Sequence, residues 1–198
     1  MPVTIIVDGP NFINALIREG KDLDYIINTL SFSTLHGLIQ NRLNRSGLVG
    51  HPFLHIYFIC SNKKQIGPFK KSGDRDKIID KITKELGVSV VEIKQSETNI
   101  GPEKEVDMEV FIHMLEMGPL SPNPSEWKHI CLISADKDYV PAIRILCKLG
   151  THTVIVGFNT EKSKFPVELI NESYLFIELG ELLKEMEKTP HILETKMK

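Results

Sequence analysis

Short runs of β-branched and aromatic residues alternate with helix-length amphipathic stretches along most of this chain, and that alternation is the strongest constraint on its fold. Residues 3–8 (VTIIVD), 52–60 (PFLHIYFIC), 88–93, 129–134 and 151–157 read as strands. The first is an unbroken apolar run, the pattern of a strand covered on both faces. Pro10 opens a helical stretch with Phe12, Ile13, Leu16 and Ile17 on one side, and residues 23–43 read as a further helix with a break around residues 31–34. Residues 74–86 form an amphipathic helix stopped by Gly87. Residues 103–117 put Val106, Val110, Met114 and Met117 at helical spacing, and residues 139–149 make another helix ending at Gly150. Residues 118–125 are a loop by composition, and 174–177 are expected as a short edge strand before a last helix over 180–188. This order specifies a three-layer α/β/α sandwich around a mostly parallel sheet. At 198 residues the chain suits one domain over residues 1–188, with a flexible tail expected over 189–198.

Composition narrows the function classes. A net charge of -2 gives no whole-chain attraction to nucleic acid, so any such binding must come from a local basic surface. Cys60, Cys131 and Cys147 are far apart, form no CxxC pair and lie in apolar or helical runs. They are expected to be buried free thiols of a reducing compartment. The first residues lack the basic n-region and cleavage site of a leader, and no apolar stretch approaches the ~20 residues of a membrane span. A soluble, cytoplasmic protein is the expectation, and a homodimer is compatible with the sequence.

In open parallel sheets, sites form outside the carboxyl ends of the strands. Asp8 ends the first strand, and Ser134-Ala135-Asp136-Lys137-Asp138 ends the fourth. If those strands are neighbours, Asp8 and Asp136 emerge side by side. Two carboxylates ~4 Å apart repel by about 4 kcal/mol at an effective dielectric near 20, so they must share a proton, stay apart or bind a cation. An oxygen-rich acidic site favours Mg²⁺ or Mn²⁺, and no Cys/His spacing here suggests zinc. Each acid also has a plainer explanation. Asp138 precedes a helix with Pro141 in its first turn and reads equally as an N-cap, Asp136 alone reads as a loop acid, Asp8 before Gly9-Pro10 reads as a turn residue, and Asp107 near a helix start complements the dipole.

Three blocks, Val7-Asp8-Gly9-Pro10-Asn11, Lys104-Glu105-Val106-Asp107 and Ser134-Ala135-Asp136-Lys137-Asp138-Tyr139, resemble in order and spacing those of NYN domains, which are PIN-like ribonuclease domains. The LabA/DUF88-like branch is the nearest match, and the resemblance runs from about Val3 to Leu183. It implies a Mg²⁺- or Mn²⁺-dependent ribonuclease in which Asp8, Asp107 and Asp136 hold metal, Asp138 supports the metal or its water, and all four acids are catalytic. Asn11 would orient Asp8 or touch a substrate phosphate, and Ser134 would hydrogen-bond within the acidic loop. Two departures stand out. Glu105 replaces a Gly common in relatives, and His113 falls about where a further Asp is expected. At ~100° per residue His113 is off the face of Asp107, and an ordinary half-buried histidine is the favoured reading.

Lys63, Lys64, Lys70, Lys71 and Arg75, with Lys77, Lys81 and Lys84, crowd the segment after the second strand. They are candidates for binding a nucleic-acid backbone, with Phe69 as a stacking residue; the alternative is a solvated helix face with an exposed loop. Single-stranded or structured RNA is the substrate class the resemblance implies. Two other readings stay open: a catalytically weak or inactive RNA-binding adaptor with the same fold, and a small-molecule phosphatase. The latter usually carries its DxD after the first strand, whereas here Asp-x-Asp follows the fourth.

Overall fold

A computed structural model describes residues 3–48, 56–61, 73–87, 89–93, 102–121 and 129–188. Its strands are β1 (Val3–Asp8), β2 (Ile56–Ser61), β3 (Ser89–Ile93), β4 (His129–Ile133), β5 (His152–Gly157) and β6 (Leu175–Glu178). They form one sheet in the order β3-β2-β1-β4-β5-β6, and every pairing is parallel. The chain builds outward from β1 in one direction through β2 and β3, then returns to β1's other side and builds through β4, β5 and β6. The reversal falls between β1 and β4, and in such sheets the crevice at that point is where ligands bind. Register places Val7 opposite Ile133, so Asp8 and the Ser134–Asp136 turn leave the sheet together.

Two helical layers cover the sheet. On one face lie α1 (Gly9–Arg18), α2 (Leu23–Asn28), α3 (Phe32–Arg45), α4 (Asp74–Leu86) and α8 (Leu179–Lys188). Their apolar sides enclose Ile5, Val7, Phe58, Ile133 and Val156. On the other face α5 (Pro102–Glu116), α6 (Val140–Lys148) and α7 (Val167–Glu172) pack on Ile6, Ile59, Leu132 and Ile155. Alternate strand residues thus feed opposite layers, as the period of two requires. All six residues of β1 are buried, which is why that run carries no polar alternation.

The expected break in the second helical segment is real: α2 ends at Asn28, and Ser31 caps α3 by accepting from the Thr34 amide at 3.2 Å. Helix α4 has the expected bounds, ended by Gly87 at φ 60°, where only glycine is unstrained. Helix α7 was not anticipated. Cys60 and Cys131 are buried free thiols, but Cys147 is exposed, a correction to the expectation for all three. It lies on α6, whose buried positions are Val140, Ala142, Ile143 and Leu146, so helical phase turns position 147 outward. Among the described residues no helix is long and apolar enough to cross a membrane. Residues 52–55 of the anticipated second strand, 122–125 of the anticipated loop and the tail 189–198 lie outside the described residues.

Candidate active site

Asp8 has two structural jobs before any chemistry. It caps α1, its Oδ1 accepting from the Asn11 amide at 3.1 Å, with Pro10 following in the first turn. Its neighbour Gly9 must lack a side chain, because a Cβ there would lie 2.7 Å from the Ile59 carbonyl oxygen and from the Phe58 ring. The last strand residue is thereby drawn down between β2 and β4, and Asp8 is only 3 % exposed.

The other carboxylate oxygen of Asp8 meets two hydroxyls. Ser134 Oγ donates to Oδ2 at 3.1 Å and accepts from the Asp136 amide at 3.1 Å, tying the turn after β4 to the end of β1. Asn11 adds a second tie, its side-chain oxygen accepting from the Ala135 amide at 2.9 Å. Asn11 therefore holds the acidic turn with its side chain and holds Asp8 with its backbone.

Tyr139, given no role from sequence, is the residue that joins the acids. Its hydroxyl lies 3.2 Å from Asp8 Oδ2 and 3.2 Å from Asp107 Oδ1, and it is 2 % exposed. A phenol has one proton to donate and here has two carboxylates to receive it. Both contacts are satisfied at once when Asp8 is itself protonated. Burial, then the charge of Asp107, outweighs the hydrogen bonds to Asp8 and lifts its pKa from 3.8 to about 7. Burial and the same two carboxylates push the Tyr139 phenol far above its ordinary range, so it stays a donor. Tyr139→Phe is expected to cost about 1–3 kcal/mol of stability, because buried Asp8 and half-buried Asp107 lose the hydroxyl they share; urea denaturation near pH 7 measures it.

Asp8, Asn11, Asn14, Arg18, Asp107 and Asp136 line one cavity of about 270 Å³ at the carboxyl edge of the sheet. Asp107 lies in the second turn of α5, beyond the first turn where it would serve the dipole, beside Val106 in the core. Asp136 caps the 3-10 turn Lys137–Tyr139, its Oδ1 accepting from the Asp138 amide at 2.9 Å. Asp138 is exposed and lines a different depression with Lys137, Pro141, Arg144 and Glu168. Nor is it the N-cap of α6: that position is Tyr139, and no side chain bonds there.

His113 is buried and turned away from this cavity. Its Nδ1 lies 3.1 Å from the Glu109 carbonyl oxygen, and its ring meets Tyr57 edge-on at 5.1 Å between centroids. Arg75 is 7 % exposed and its guanidinium contacts Asp76 Oδ1 at 3.1 Å, so it is occupied within α4. Lys81 donates to the Ile27 carbonyl oxygen at 2.8 Å, closing the end of α2. Lys63, Lys64, Phe69, Lys70 and Lys71 lie outside the described residues. Sequence reasoning missed Asn14 and Arg18 as well as Tyr139. With Asn11 they have the i, i+3, i+7 spacing of one helix face, a signal that was available.

Asp8 and Asp107 each turn one carboxylate oxygen to the Tyr139 hydroxyl, and both line the cavity that Asp136 shares. Among the described residues no three His, Cys, Asp or Glu side chains already converge as a ligand set. Mg²⁺ is commonly held by one or two carboxylates while keeping several waters, and two hard oxygen donors beside an open cavity fit that habit.

The NYN domain family model matches residues 2–180. The chain belongs to the NYN domain family. The NYN fold is that of PIN-like nucleases, and the three acids on the cavity fall within the matched span. A crystal structure of a protein of unknown function from Vibrio parahaemolyticus RIMD 2210633 is similar at TM-score 0.57 and 15 % identity, over 89 % of this chain and 91 % of that one. That likeness speaks for the fold alone. No curated protein matches the sequence significantly.

Proposed function

We propose that this NYN domain is a ribonuclease that hydrolyses phosphodiester bonds of single-stranded or structured RNA with Mg²⁺ or Mn²⁺ at Asp8, Asp107 and Asp136. The observation that carries the reading is the meeting of Asp8 and Asp107, from separate elements, on the one hydroxyl of Tyr139 at the reversal point of the sheet. Sharing a buried spot between two acids opposes folding unless a proton or cation compensates.

A divalent ion, when bound, supplies a polarised phosphate, a more acidic water and stabilisation of the leaving oxygen. Asp8 and Asp107 would hold it directly, and Asp136 directly or through water. Tyr139 fixes the spacing of the first two acids and offers its proton to whichever oxygen faces it. Ser134 is spent on Asp8, so it is no free nucleophile. Arg18, at the cavity rim, offers the positive charge a substrate phosphate needs.

Purified protein should cleave a labelled single-stranded RNA with Mg²⁺ or Mn²⁺ and stop in EDTA; cleavage that persists in EDTA would sink the proposal. A second reading, an RNA-binding adaptor of low or no activity, is favoured by the Tyr139 hydroxyl, which already satisfies the facing oxygens of Asp8 and Asp107. RNA binding indifferent to EDTA, without turnover in either ion, would select it.

A further inference from the structure

A second cavity adjoins the acidic one across α1. It measures about 110 Å³, and Asn11 and Arg18 line both. Its apolar floor comes from Phe12, Ile133, Val156, Phe158 and Leu179, and its rim carries Arg18, Lys162 and Lys164. All three cations are exposed, and none has an ion-pair partner among the described residues. The hydroxyl of Ser163, also on this cavity, is buried with no hydrogen-bond partner among the described residues. A buried hydroxyl left unpaired costs about 1–3 kcal/mol, so it invites a polar ligand or water.

The loop that carries Lys162 and Lys164 is held in place. Thr160 Oγ1 donates to Glu19 Oε1 at 2.6 Å and accepts from the Lys162 and Ser163 amides at 3.2 and 3.1 Å. One hydroxyl thereby fixes the turn to the end of α1, near Arg18. On the far side Phe165 is buried against Gly157, where a Cβ would lie 2.1 Å from its ring. The backbone that presents the two lysines is therefore set before any ligand arrives, which lowers the ordering cost of binding.

We infer that this cavity is the subsite for the nucleotide next to the scissile phosphate. The flanking phosphate lies on Lys162, Lys164 and Arg18, and the nucleotide's sugar lies over the narrow opening between them. This rests on the ribonuclease reading and extends it. It sets the strand's path from the acidic cavity, past Arg18, to the loop after β5. Three cations with no competing acid paired to them match a polyanion, and the amphipathic lining matches one unstacked nucleotide.

The test is the binding of a mixed-sequence 12-nucleotide single-stranded RNA in EDTA, read by fluorescence anisotropy over a range of salt. Lys162→Ala/Lys164→Ala should weaken binding about 5- to 20-fold at low salt, whatever the sequence. It should also lower the slope of log Kd against log salt by about 1.4, two phosphate contacts at about 0.7 each. Lys162→Arg/Lys164→Arg should restore both affinity and slope. If wild-type protein binds and cleaves RNA while the alanine pair keeps wild-type affinity and slope, the subsite is wrong and the nuclease reading survives. If wild-type protein neither binds nor cleaves RNA, both fall together.

Discussion

Asp8→Asn should lower RNA cleavage by roughly 10³-fold or more while the protein stays folded. The lost charge faces the place where the proposed cation would sit, and transition-state stabilisation by a bound ion is worth several kcal/mol, each ~1.4 kcal/mol being tenfold in rate. The fold should tolerate the change because Asn is nearly isosteric. Its carbonyl oxygen still accepts from the Asn11 amide, and its amide group can donate to the Ser134 and Tyr139 oxygens that now face Asp8 Oδ2. In effect Asn copies the protonated acid. Single-turnover cleavage at saturating Mg²⁺, alongside thermal melting in EDTA, separates lost chemistry from lost structure. A folded Asp8→Asn protein that cleaves within tenfold of wild type would remove Asp8 from the site. The geometry also ranks the two acids of the β4 turn. Asp136→Asn should cost more activity than Asp138→Asn, because Asp136 lines the cavity of Asp8 and Asp107 whereas Asp138 lines another.

Asp8 and the Ser134–Asp138 turn were legible in the sequence for a simple reason. Each follows an apolar run that ends abruptly in polar residues, and the end of a buried parallel strand is where such a change must fall. That β1 and β4 are neighbours was the condition on which the two acids would emerge side by side, and the pairing meets it. Tyr139 was harder. A tyrosine at the start of an amphipathic helix looks like core, and most of this one is core; only the positions of Asp8 and Asp107 reveal what its hydroxyl does. Arg75 was misjudged in the opposite sense. It was read among lysines as part of an exposed basic flank, yet its side chain folds onto Asp76 and is buried. Composition reports the charge of a segment but not which charges are already paired. The loop with Lys162 and Lys164 drew no attention because two lysines in a polar stretch carry no pattern. Their significance comes from Thr160 and Gly157, which fix that loop beside α1.

The metal-free protein should lose stability as pH rises from about 4 to about 7, opposite to what an ordinary salt-bridged carboxylate produces. Asp8 has a pKa of about 7 in the fold against 3.8 as its ordinary value. Between those values the folded state holds a proton that the unfolded chain has released. The folded state thus binds more protons, and the free energy of unfolding falls with pH across that window. The contribution is complete below about pH 4 and gone above pH 7, and the full difference is on the order of 4 kcal/mol. Other carboxylates add their own pH dependence, so the informative quantity is wild type minus Asp8→Asn, measured by urea denaturation in EDTA at intervals from pH 4.5 to 8. Asp8→Asn should be the more stable protein at pH 8 and lose that advantage toward pH 4.5. Mg²⁺ should then act mainly at the alkaline end. There the ion meets an ionised Asp8, whereas below pH 6 it must displace a proton to bind, so added Mg²⁺ should flatten the wild-type curve and leave Asp8→Asn nearly unmoved. A wild-type minus Asp8→Asn difference that is flat from pH 4.5 to 8 would mean that Asp8 is ionised throughout. Tyr139 would then be shared between two charged acids, with some other cation offsetting them.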